Sequence, residues 1–145
     1  MGFRVTNLRS AFVGLVAALV AFAGSFVALT TVYWFIRPFV WKALYGVAYS
    51  APEFYAPDSG EWLFVQATSF LSAMLAGFAC AKWAGTSARW LIWCLVVASI
   101  LLVGGELPNA SYARQAIYFL VYPLGILCGA LLLRRIRARA SDIVA

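Results

Sequence analysis

The sequence predicts an all-α integral membrane protein, a bundle of four transmembrane helices with both termini in the cytoplasm. Three observations lead there. Hydrophobic residues make up 65% of the 145-residue chain and charged residues only 11%, where soluble domains carry about 25% charged residues. Four long stretches hold no charged residue at all. Lysines and arginines flank those stretches unevenly. A soluble fold with so few charges could not cover its surface, whereas lipid needs no such cover. The chain is read as one four-helix membrane domain over 1–145.

The first span is expected at about 11–36. A helix rises about 1.5 Å per residue and the hydrocarbon core is about 30 Å thick, so the run is long enough to cross with tilt. Arg4, Arg9 and the later Ala21-Phe22-Ala23 resemble a secretory leader with its cleavage site. The apolar run continues past Ala23 to Ile36, which argues for a retained helix. An outer loop follows at 37–61. Pro38 suits the first turn of a short helix, and the residues up to Tyr49 suit one lying in the interface. Pro52, Pro57 and Gly60 then force an irregular return.

That loop and its flanks are rich in aromatic rings, including Trp34, Trp41, Tyr45 and Tyr49. Amphipathic rings settle at the headgroup level, so an aromatic belt is expected. The same four residues are candidate contacts for a ligand or partner, because aromatics are enriched in interfaces.

The second span is expected at about 62–81 and ends at Lys82. The third, at about 90–105, is short, near the lower limit of about 17 residues. Its bulky aliphatic side chains suit a peripheral, lipid-facing helix. The fourth, at about 115–133, stops at Arg134, Arg135, Arg137 and Arg139. Pro123 lies mid-span and frees the carbonyl of Phe119, which predicts a kink.

Orientation follows from the basic residues. Arg4, Arg9, Lys82, Arg89 and the four C-terminal arginines fall on one side of this topology. Arg37, Lys42 and Arg114 fall on the other. The excess marks the cytoplasmic side, and a bacterial inner membrane is the expected location. The net charge of +6 is thus a topology signal, and no nucleic-acid partner is expected. Arg134, Arg135, Arg137 and Arg139 would also attract anionic lipids at about 1 kcal/mol each.

Small residues mark faces that pack. Ala11, Gly14, Ala18, Ala21, Ser25 and Ala28 repeat at intervals of three and four along the first span. Gln66, Ser69, Ala73, Ala76 and Cys80 do so along the second, and Gly77 and Ala81 add a further small pair. Gly125 and Gly129 form a GxxxG pair in the fourth. Such seams let helices approach closely in lipid. The simplest expectation is that the first two spans pack on each other, with a second subunit as the alternative partner.

Few residues could carry chemistry. The chain has no histidine, the commonest metal ligand, and its three cysteines form no CxxC pair. No HExxH, GxSxG or Walker loop occurs. No catalytic residues, cofactor or metal are therefore expected. Gln66, with Thr68, Ser69 and Ser72, is the polar cluster inside a span. Tyr118 and Tyr122 share a face of the fourth span. Glu106 and Arg114 could pair across the outer turn, worth little if wet.

These features favour a non-catalytic accessory or structural subunit that acts by helix packing, in a homo-oligomer or a larger complex. The alternative is an oligomeric channel or carrier for a lipid-like or uncharged solute, lined by Gln66, Thr68, Ser69, Tyr118 and Tyr122. A weaker third reading is a lipid-modifying enzyme using Glu106 or Glu61 at the outer face.

Overall fold

The computed structural model describes residues 5–45, 60–104 and 112–144. They form four α-helices: α1 (Val5–Tyr45), α2 (Gly60–Trp83), α3 (Ala88–Gly104) and α4 (Tyr112–Val144). Helix is the natural outcome for these sequences, because a backbone without water partners must satisfy its hydrogen bonds within its own segment. Among the described residues, three stretches are long and apolar enough to cross a membrane: Leu8–Phe39, Phe64–Trp83 and Phe119–Ser141. The apolar part of α3, Ala88–Leu101, is shorter.

One expectation is corrected here. The stretch 37–61 is not an outer loop throughout, because α1 runs unbroken past Ile36 to Tyr45 and α2 already begins at Gly60. Pro38 lies inside α1 rather than in the first turn of a separate interfacial helix. Its missing N–H frees one carbonyl, that of Trp34, but neighbouring contacts hold the helix together. The Arg37 guanidinium lies 5.9 Å from the Tyr33 ring centroid and 5.2 Å from that of Trp34. Tyr33 in turn stacks on Phe64 of α2, with centroids 4.0 Å apart. The turn before the proline is thereby tied to α2. The remainder of the expected loop, 46–59, lies outside the described residues.

The fourth helix likewise continues beyond its apolar part. α4 passes through the arginines to Val144, since arginine is itself a good helix former. Pro123 is accommodated within it.

α2 is the axis of the packing. It lies against α4 on one side and α1 on the other, while α3 packs chiefly on α4. Of the most apolar 18-residue window of α2, 50% is buried, against 11% of that of α1. The core is made of small side chains, among them Ala18, Ala73, Ala76, Cys80 and Ala84. Larger aliphatic residues enter from α3 and α4, including Leu91, Val96 and Ile126.

Glycines set how closely the helices approach. A Cβ on Gly77 would strike the Ile126 carbonyl of α4, and one on Gly129 would strike the Met74 carbonyl of α2. One on Gly125 would come within 2.7 Å of the Phe70 carbonyl oxygen. The α2–α4 contact is therefore backbone against backbone.

A tight turn joins α2 to α3. The Ala84 N–H donates to the Cys80 carbonyl at 2.9 Å, and the Ser87 N–H to the Ala84 carbonyl at 3.0 Å. Gly85 adopts φ +55°, the left-handed conformation that commonly ends a helix and that glycine takes at little cost. A short 3-10 turn, Gly85–Ser87, then leads into α3. Gly14 of α1 packs directly on Ala84, so the turn also docks the first helix.

Candidate functional site

Apart from Arg37 of α1 and Ser87 of the turn before α3, the buried polar side chains among the described residues gather on α2. Gln66, Thr68, Ser69 and Ser72 are all buried. The Tyr122 hydroxyl of α4 donates to Ser69 Oγ at 3.3 Å. The same ring lies 6.1 Å from Phe22 of α1, tilted by 47°, so Tyr122 links three helices. The two carboxamide atoms of Gln66 and the hydroxyl of Ser72 are buried with no hydrogen-bond partner among the described residues. Burying such a group unpaired costs about 1–3 kcal/mol. This cluster can offer hydrogen bonds to a small polar group. It supplies no nucleophile with a base beside it. Among the described residues, no three His, Cys, Asp or Glu side chains gather where a metal ion could sit.

Below the cluster lies an apolar crevice of about 490 Å³ to which all four helices contribute. Leu15 and Phe22 of α1 and Leu95 of α3 line it, with Ala73 of α2 and Tyr122 and Ile126 of α4. Ser99 also lines it, but its hydroxyl donates to its own helix, at 2.7 Å to the Val96 carbonyl. A neighbouring crevice of about 540 Å³ shares Leu15 and extends to Arg9 and Trp90.

The small residues of α1 fare differently along its length. Ala11, Gly14 and Ala18 are buried, Ala21 and Ser25 are half-buried, and Ala28 is exposed. A stripe that repeats every seven residues turns by about 20° per heptad on a straight helix of 3.6 residues per turn. The stripe therefore rotates away from α2 as α1 ascends. Ser25 satisfies its hydroxyl on the Ala21 and Phe22 carbonyls of its own helix. On α2, Ser69, Ala73 and Ala76 are buried, and on α4 so are Gly125 and Gly129.

Trp34 is exposed, and the Arg37 guanidinium lies over its ring. Trp41 and Tyr45 fall in the last turns of α1, and Arg114 and Tyr118 in the first half of α4. Tyr49 and Glu106 lie outside the described residues, and with Glu106 goes the proposed pairing to Arg114. Arg134, Arg135, Arg137 and Arg139 are all exposed. They separate into two pairs: Arg134 and Arg137 line a crevice with Arg89, whereas Arg135 and Arg139 do not.

Three structural residues escaped sequence reasoning. Arg37 is only 4% exposed, although its charge made it look like a span boundary. Its position three and four residues after Trp34 and Tyr33 was the available signal, since that spacing stacks side chains on a helix. Gly77 was visible as a small residue but not as the contact point of α4. Arg89 was read only as a topology marker.

Comparison with protein-family models, with curated proteins and with solved structures finds no match for this chain.

Proposed function

We propose that this protein is a non-catalytic subunit of a membrane assembly, either a homo-oligomer or a larger complex, that acts by helix packing. In this reading all four helices cross a bacterial inner membrane and both termini are cytoplasmic, an orientation that the distribution of arginine and lysine supports. The observation that carries it is the open face of α1. Gly77 of α2 and Gly125 and Gly129 of α4 are consumed inside the chain, so they offer nothing to a neighbour. α1 instead keeps Ala23, Gly24, Val27, Ala28 and Thr31 exposed. A Cβ on Gly24 would meet nothing within 4 Å. Thr31 satisfies its hydroxyl on the Val27 carbonyl at 2.8 Å, so the face is both shallow and apolar. In lipid, helices associate where small residues let backbones approach.

Purification in mild detergent, with mass determination and identification of co-purifying chains, tests this directly. The expected result is a defined oligomer or complex. Gly24→Leu should reduce it to single chains while changing stability by no more than about 0.5 kcal/mol, the range of surface substitutions. A wild-type chain that is monomeric and alone would sink the subunit reading.

A second reading, a carrier for a lipid-like or uncharged solute, is favoured by the four-helix crevice. Leu19 and Ala98 line it and are themselves exposed. Ala98→Trp would fill it from the α3 side with little disturbance of the core. Transfer of a fluorescent lipid analogue into proteoliposomes should then fall at least about tenfold, the change produced by 1.4 kcal/mol. Unaltered transfer removes this reading.

A further inference from the structure

The basic end of the bundle holds a crevice of about 190 Å³ between the α2–α3 turn and α4. Arg89, Arg134 and Arg137 line it, and Gly85 of the 3-10 turn and Ala88 at the start of α3 form part of its wall. Arg89, Ile92 and Arg134 are shared with a second crevice, of about 290 Å³, between α3 and α4. There the lining turns apolar, with Trp93, Leu127, Ala130 and Leu131. No acidic residue among the described ones lines either space.

The chemistry is directional. Guanidinium groups have donors and no acceptor, and their planar forks match the oxygens of a phosphate. The start of α3 adds the positive end of a helix dipole to the same wall. Beyond the shared Arg89 and Arg134, the adjoining groove is lined by apolar side chains and the Trp93 ring. The two spaces meet where α4 changes from Leu133 to Arg134, the passage from apolar to basic sequence that marks the headgroup level.

We infer that this is a binding site for one anionic glycerophospholipid, its phosphate held by Arg89, Arg134 and Arg137 and an acyl chain laid along Trp93, Leu127 and Leu131. A soluble phosphate would satisfy the arginines but leave the groove empty. A zwitterionic lipid would fill the groove but bring a cationic group to three arginines. The site does not depend on the subunit reading, since no residue of α1 lines it.

The four C-terminal arginines provide their own control. Arg134→Gln with Arg137→Gln, and Arg135→Gln with Arg139→Gln, remove the same charge from the same helix. Binding to the purified full-length protein in neutral detergent can be followed by quenching of tryptophan fluorescence. The probe is phosphatidylglycerol with brominated acyl chains. Loss of diffuse attraction between the arginines and an anionic headgroup would weaken binding in both pairs alike. The site predicts that the first pair loses about tenfold more affinity than the second, beyond that shared electrostatic term. Arg89→Gln, on a different element, should behave like the first pair and guards against a folding defect in α4. Trp93→Phe should remove a large part of the quenching. Brominated phosphatidylcholine should quench weakly, and glycerol phosphate should not displace the lipid. Equal losses for the two arginine pairs, equal binding of phosphatidylcholine, full displacement by glycerol phosphate or unchanged quenching in Trp93→Phe would each overturn the proposal.

Discussion

Gly129→Leu is expected to force α2 away from α4 and to lower stability by about 3 kcal/mol or more. Overpacking a close contact typically costs about 1–3 kcal/mol, and more when nothing flexible can yield. Here nothing can, because a Cβ at Gly129 meets the Met74 backbone and one at Gly77 meets the Ile126 backbone. Two effects compete in the smaller change Gly129→Ala. Alanine favours the helix over glycine by about 1 kcal/mol, while the collision with a carbonyl opposes it. The collision should win at Gly129 and Gly77. At Gly24, where nothing lies within 4 Å, the same substitution should be neutral or stabilising. Unfolding midpoints in detergent, followed by near-ultraviolet circular dichroism, compare the variants. A Gly129→Leu protein as stable as wild type would refute the backbone-on-backbone contact.

Gln66→Met should stabilise the protein by about 1–3 kcal/mol. The change conserves shape and removes a carboxamide whose buried atoms have no hydrogen-bond partner among the described residues. Leaving such a group unpaired costs about 1–3 kcal/mol, whereas an apolar group of the same shape carries no such penalty. The sign is the informative part. A rise in the unfolding midpoint means that the seam is dry and the glutamine is held at a cost. A fall means that the carboxamide is already engaged, by a bound molecule or by residues beyond those described. The prediction then fails.

Much of the architecture was legible because apolar runs and charges speak directly about helices in lipid. Helices α2 and α3 begin and end within two residues of the apolar runs at 62–81 and 90–105. The expected loop from residue 37 failed because a lipid boundary was taken for a helix boundary. Arg37 and Arg134 end apolar runs, yet the backbone is indifferent to that change and both helices continue. Pro38 misled for a related reason, since a proline removes one hydrogen bond but need not end a helix whose side chains are held on both sides.

The candidate sites were less legible. Small-residue spacing shows that a face can pack but not which helix meets it. Only the folded chain shows Gly77 and Gly129 gripping opposite backbones. The arginine crevice combines Arg89 with residues about 45 positions later on another helix, a juxtaposition without a one-dimensional signature.

The length of α1 has a mechanical consequence. Its apolar stretch, Leu8–Phe39, contains 32 residues and is therefore about 48 Å long, against a hydrocarbon layer of about 30 Å. Immersing all of it would require a slant of about 50°, outside the range of about 0–40° found for membrane helices. A crossing α1 thus carries a surplus of at least one turn, which the surrounding lipid must absorb by swelling or leave standing among the headgroups. The chain would be more at ease in thick bilayers than in thin ones, a preference that hydrophobic mismatch turns into sorting.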